Sequence, residues 1–308
     1  MKRTIAAAAL AALSLCIMAV PAAAQAPQSD EDIVVVAERL REMVREFVGE
    51  VAVAPSSERQ MARWDRKICP LVAGLPARQM QYMADRIAQR AHQVRLEPEG
   101  AGCKANILIF VTPDASRFAE GIVDEYRELV AYYSTNGVST LGRGPLEDFT
   151  TSSAPVRWWH VNQTVSADGQ QLADDTGNGG MRVVRSGQPP GRLRRGTRQD
   201  FLRVLIIVDA RQAQGLQFQA LADYVAMVSL AQLDPAGETT DIPSILNLFN
   251  DNQSGRPAQA AMTEWDEAYL DGLYNARRTA PREVWQQRDI TRRMVDSLGP
   301  GLMPSTQE

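Results

Sequence analysis

Two residues have the type and the setting to do chemistry: His160, within "RWWHVN" (Arg157–Asn162), and Asp223, within the apolar run "LQFQALADYVAMVSLAQL" (Leu216–Leu233). An imidazole works as a general base or metal ligand near neutral pH. A carboxylate among apolar side chains is either pushed up in pKa, towards an acid, or neutralised by an arginine or by backbone donors. Trp158, His160 and Asn162 alternate along one stretch, so they share one face of a strand; with Asp223 they are the candidate pocket residues. The same alternation also fits a strand that packs one face and wets the other.

Metal chemistry is limited by the residue count. The chain holds two histidines, His92 and His160, in different predicted elements, so a three-histidine zinc site is excluded. No cofactor motif is present: no G-x-S-x-G, phosphate loop, strand-linked G-x-G-x-x-G or EF-hand loop. The sequence therefore predicts no cofactor, no metal and no assignable catalytic residue. Carboxylate-rich stretches such as "TEWDEAYLDG" read as helix starts and solvated faces, with Thr263 as the cap before Glu264 and Asp266.

Arginines supply the other chemical feature. Arg192, Arg194, Arg195 and Arg198 lie in "GRLRRGTRQD" and form a candidate anion-binding patch, with a solvated loop as the alternative. An anionic envelope polymer or an envelope protein is the partner such a patch fits. Cys69 and Cys103 have no neighbouring histidine and no C-x-x-C spacing, so a disulfide is expected rather than a reactive thiol.

The N-terminus sets the compartment. "MKRT", the apolar "IAAAALAALSLCIMAV" and the small residues Ala22 and Ala24 read as a signal peptide over residues 1–24, cleaved after Ala24. A periplasmic or extracellular location follows, and later residues contain no apolar run long enough to span a bilayer. Of 33 basic and 37 acidic residues, Lys2 and Arg3 fall in the leader, leaving the remainder at a net charge of −6. That balance argues against nucleic-acid binding.

The elements that must position these residues follow from periodicity. "DIVVVA" (Asp32–Ala37) reads as a short strand before an amphipathic helix carrying Leu40, Val44 and Phe47. A helix from Leu75 leads through Cys103 to the buried strand "ANILIFVT", and a further helix is expected over Asp114–Tyr133. Residues 134–155 read as a Gly-, Ser- and Thr-rich connection and a possible sub-boundary within one domain spanning 25–298. Three strands then follow, "VRWWHVNQTVSADG", "RVVRSG" and "DFLRVLIIVDARQ", expected in one sheet, and after them helices to the C-terminus and a loose tail over 299–308. The fold class is α+β: a mixed sheet packed with helices, a helical C-terminal segment and one disulfide.

The order of a strand, a long helix, "SILNLFND" and "WDEAYLDGLYNARR", over Leu202–Arg278, resembles the C-terminal half of little-characterised secreted bacterial proteins with a zincin-peptidase architecture. The resemblance implies a zinc-peptidase fold. At the position of that family's metal helix this chain has Ala222, Asp223, Tyr224, Val225 and Ala226, without the histidine ligands. The expectation is an exported, non-catalytic interaction protein on a degenerate peptidase-like scaffold. The alternative is an envelope or extracellular hydrolase whose site the sequence does not reveal.

Overall fold

The computed structural model describes residues 30–299, apart from 56–57, 134–136, 175–181, 184–186, 188–189 and 240–241. The predicted signal peptide and the tail beyond Gly299 lie outside the described residues. A five-stranded mixed sheet organises the chain, in the order β1 (Pro70–Ala73), β2 (Ile107–Thr112), β7 (Thr197–Asp209), β4 (Val156–Ser166), β3 (Val138–Ser139). β1, β2 and β7 run parallel, and β4 and β3 complete the sheet antiparallel. β7 is central because its Val204–Val208 run can be buried on both faces, as a parallel sheet between two helical layers requires. The fold is thus α+β, with the helices divided between those two faces.

On one face, Ile107, Ile109, Val204, Ile206 and Val208 share a core with α1 (Asp30–Val51), α2 (Ala77–Gln93), α5 (Phe218–Leu230), α6 (Leu248–Ser254), α7 (Glu264–Asn275) and α8 (Glu283–Leu298), of which α2 and α5 lie against the sheet and α7, α8 and α1 pack in turn on one another. The opposite face, with Trp159, Val161, Leu205 and Ile207, is covered by α3 (Ala115–Glu125) and α4 (Arg143–Thr151). α5 is apolar all round and is buried from Ala220 to Leu230, as a helix without a polar face must be. Thr263 caps α7 in a capping box with Asp266.

Several expectations are corrected. "DIVVVA" is the start of α1 rather than a strand, with Val34 and Val35 about two-thirds exposed (65 % and 66 %). Valine disfavours a helix by only about 0.7 kcal/mol or less, whereas each residue added to a docked helix gains a hydrogen bond that a lone strand lacks. The helix expected to reach Tyr133 stops at Glu125. Beyond it Ala131 has φ 49°, outside the right-handed helical region, and the Val130 carbonyl accepts the buried Trp159 indole N–H at 2.9 Å.

The connection over 134–155 contains β3 and α4. Gly142, at φ 100°, makes the turn into α4, and Leu146 and Phe149, three residues apart, bury that helix against the sheet. The three predicted strands do not share one sheet: β6 (Arg182–Val183) pairs with β5 (Ala173–Asp174) in a separate two-stranded ribbon.

Cys69 and Cys103 are bonded, with Cα atoms 6.1 Å apart, tying the entry of β1 to the loop before β2. The bond closes a loop with a sequence separation of 34. Replacing both cysteines by serine is expected to lower unfolding stability by about 2–4 kcal/mol through regained loop entropy. Urea denaturation checks this, and coincident midpoints for the two proteins would contradict it.

Candidate functional site

The α5 side of β4 carries the predicted pocket residues, but it meets protein rather than solvent. His160 is 1 % exposed; its Nε2–H donates to the Val228 carbonyl at 2.9 Å and its ring stacks on Phe201 at 4.9 Å. Burial pushes its pKa down to about 4 against that hydrogen bond, so the imidazole is neutral at physiological pH. Asn162 donates to Gln232 at 3.0 Å, and the Trp158 indole donates to the Leu233 carbonyl at 3.2 Å. This row fastens β4 to α5 and its following turn.

Asp223 points elsewhere, into the contact between α2 and α5. Arg86 and Arg90 each grip it with Nε and Nη2, at 2.7–3.0 Å, and Met262 N–H adds a bond of 2.9 Å. Burial alone would raise this carboxyl; the hydrogen bonds from Arg90, Arg86 and Met262 outweigh it and hold the pKa below the usual range. The carboxylate is therefore a fixed anion joining three elements. Its neighbours Ala222 and Ala226 are 0 % exposed, so the positions of the resembling family's metal ligands are core packing here. Among the described residues no group of three or more His, Cys, Asp or Glu side chains is arranged to hold a metal ion.

The arginine patch divides. Arg192 and Arg194 are exposed and Arg195 stands 3.5 Å from Glu58, whereas Arg198 is buried and turned to Asp65 and Asp200. Arg278 bonds the same two carboxylates. Burial raises the Asp200 carboxyl, with Arg278 and Arg198 opposing. Neither Asp65 nor Arg278 carried a sequence signal, because they lie far from Arg198 along the chain and meet it only through folding.

A cleft opens where β3 stops. β3 pairs only with Asn162 and Gln163, and the chain then leaves the sheet for α4, so the earlier part of β4 has no strand beside it. The bond from Asp209 N–H to the Pro155 carbonyl, 2.8 Å, fixes the phase of the β4–β7 ladder. Arg157 and Trp159 accordingly exchange bonds with β7, and the N–H and C=O of Val156 and Trp158 point away from it. Among the described residues these outward groups make no backbone hydrogen bond outside the ladders.

They border a cleft of about 690 Å³. Leu141, Pro145 and Phe149 wall one side; Val53, Ala54 and Pro235 wall the other. Asp148 and Asp234 also line it, the first exposed and the second half-buried. The Arg157 side chain is turned away, donating to the Phe149 and Thr150 carbonyls at the end of α4 and to Ser116 Oγ. Of the predicted pocket residues, Trp158 alone lines this cleft. The signal that sequence reasoning missed is the pairing length of β3, a tertiary property.

No family model, curated protein or solved structure matches the chain.

Two outcomes test the buried groups. Asp223→Asn is expected to cost about 3–5 kcal/mol at pH 7, because the buried Arg90 and the half-buried Arg86 lose their counter-charge. Since the folded pKa is lowered, this contribution is fully present above the unfolded value of about 3.9 and is lost as pH falls through the folded one. Urea titrations of both proteins should differ at pH 5–7, and the difference should shrink as the pH falls below the unfolded value of about 3.9. A difference unchanged at low pH would contradict the pinned carboxylate.

His160 acts in the same direction, over a higher pH window. Unfolded histidine binds a proton near pH 6.5 while the folded ring waits until about 4, so stability falls as pH drops across that window, by up to about 1.4 kcal/mol per unit. His160→Gln retains a donor for Val228 and should flatten that slope. An unaltered slope would show that His160 titrates normally.

Proposed function

We propose that this is an exported, non-catalytic binding protein that takes an extended peptide segment into the cleft along β4. The observation that carries this reading is the pair of outward-facing residues, Val156 and Trp158, at an unpaired strand edge inside an apolar-walled cleft. Such an edge adds a strand through backbone hydrogen bonds, and side-chain pockets select the sequence. A volume of about 690 Å³ lies within the usual range for ligand sites. The two aspartates favour a segment whose apolar side chains are accompanied by a basic one.

Export is supported by the signal-like residues 1–24 and by the Cys69–Cys103 bond, which suits an oxidising compartment. Among the described residues, no helix is long and apolar enough to cross a membrane. The peptidase-like character of the scaffold rests on the segment order over Leu202–Arg278. The non-catalytic part of the reading is supported by the sealed setting of His160 and by the two arginines on Asp223, which leave both groups occupied by the core.

The test starts from peptides selected on the folded protein from a random library. Calorimetry is expected to give Kd values in the micromolar range, corresponding to about −8 kcal/mol, with slowed hydrogen exchange at the Trp158 amide. Ala236→Trp fills the exposed rim of the cleft and Asp148→Arg reverses its charge. Each should weaken binding at least tenfold while leaving the melting temperature within a few degrees. Binding indifferent to both substitutions would overturn the assignment to this cleft. New peptide termini seen by mass spectrometry, lost in the same variants, would replace it with the hydrolase reading.

A further inference from the structure

A second cavity lies at the other end of the sheet, beside the amino ends of β1, β2 and β7, and its character is opposite. It has a volume of about 410 Å³, opens to solvent and is lined by five cationic residues, Arg63, Arg66, Lys67, Arg95 and Arg278, against the two carboxylate residues Asp65 and Glu97. Both carboxylates already have cationic partners: Asp65 is bonded by Arg198 and Arg278, and Glu97 stands 3.3 Å from Lys67. Among the described residues Arg66 bonds only the neutral Gln163 amide, at 3.3 Å. The cavity is left with an excess of positive charge in a protein whose total is negative.

Arg63 and Arg95 both reach this cavity without a carboxylate partner among the described residues. Arg63 donates to the Leu273 and Ala276 carbonyls at the end of α7 and lies over the Tyr274 ring, 5.7 Å from its centroid, with no carboxylate in ion-pair range among the described residues. Burial, then the charge of Arg278, lowers its pKa to about 10. Proton release is still remote at neutral pH, so the guanidinium keeps its charge and lacks an anion.

Arg95 is the more telling case. Arg95 N–H bonds the His92 carbonyl and Leu96 N–H bonds the Ala91 carbonyl, at 3.0 and 2.9 Å, so Arg95 occupies the left-handed position that closes α2. Its φ is 62°. Glycine takes that conformation freely, whereas a side chain there costs stability, and the side chain in question is a cation lining the cavity, without an ion-pair partner among the described residues. Backbone strain retained beneath a cavity-lining cation points to what that cation binds.

We propose that this cavity binds a phosphoryl group, carried as a monoester on a small molecule or on a lipid. The dianion of a phosphate monoester offsets most of the local excess, and its tetrahedral oxygens accept from several arginine forks and the Lys67 ammonium at once. The site is separate from the peptide cleft and does not depend on it.

Isothermal titration with inorganic phosphate, glycerol 3-phosphate and glycerol tests the chemistry, and sedimentation with phosphatidic acid vesicles against phosphatidylcholine vesicles tests the lipid source. The two phosphates are expected to bind with submillimolar Kd and glycerol not at all. Glycerol 3-phosphate at ~100-fold above its Kd should raise the melting temperature by about 5 °C. Tighter capture by phosphatidic acid than by glycerol 3-phosphate would assign the group to a lipid, and the reverse to a soluble ester.

Arg95→Gly is the decisive variant, because binding and stability should move in opposite directions. Phosphate affinity should fall at least tenfold, while the unliganded melting temperature stays level or rises as the left-handed residue becomes glycine. Lys67→Ala should weaken binding with little change in fold. Phosphate affinity that survives Arg95→Gly, or no response of the unmodified protein to any phosphoryl probe, would overturn the proposal.

Discussion

A carboxylate inside an apolar helix sets the terms for the rest of this molecule. Asp223 is 0 % exposed, and a charge in that setting is tolerated only if it is surrounded by donors. Arg86 and Arg90 answer it from successive turns of α2, and the Met262 amide answers it from the chain entering α7. Arg90 also reaches Glu267 in the first turn of α7, so the same guanidinium couples that helix to the network. α2, α5 and α7 therefore have one mutual arrangement that leaves no charge unpaired. Breaking one member exposes the others to the full cost of desolvation.

Because α5 is fixed from below, it fixes β4 above it. The bonds from His160, Asn162 and Trp158 to Val228, Gln232 and Leu233 hold that strand by its side chains on a face where it is otherwise apolar. Held in this way, β4 does not need a full partner on its outer side. β3 covers two residues and departs, and α4 is anchored by Leu146, by Phe149 and by Arg157 on its last carbonyls. The cleft is the space between those two solutions, a strand edge held in place by the helix under it.

The two ends of the sheet have become chemically different for a related reason. At the carboxyl end of β7 the flanking segments bring Leu141, Pro145, Val53 and Pro235, and the space between them is apolar. At the amino end, the segment from Arg63 to Lys67, the turn after α2 and the chain leaving α7 converge, and each contributes at least one arginine. Asp65 and Asp200 balance Arg198 and Arg278 there, and the cations beyond them face the second cavity.

Sequence alone determined the elements whose signals are local. The all-round apolar pattern of Leu216–Leu233 specified a core helix, "ANILIFVT" a buried strand, and Thr263 with Asp266 a capped helix start, because each depends on residues within one or two turns of each other. The cysteine pair could be read because it was the remaining even pair in a chain with an export-like leader. Tertiary structure decided the rest. Ile33–Val36 joined a helix because the helix already existed beside them and no strand did. Arg198 turned inward while Arg192 stayed in solvent because Asp65 and Asp200 came to the first and not to the second. The unpaired edge at Val156 and Trp158 depends on where another strand ends. Propensity and periodicity are properties of neighbours in the chain, whereas charge pairing and strand edges are properties of neighbours in space, which only the folded chain brings together.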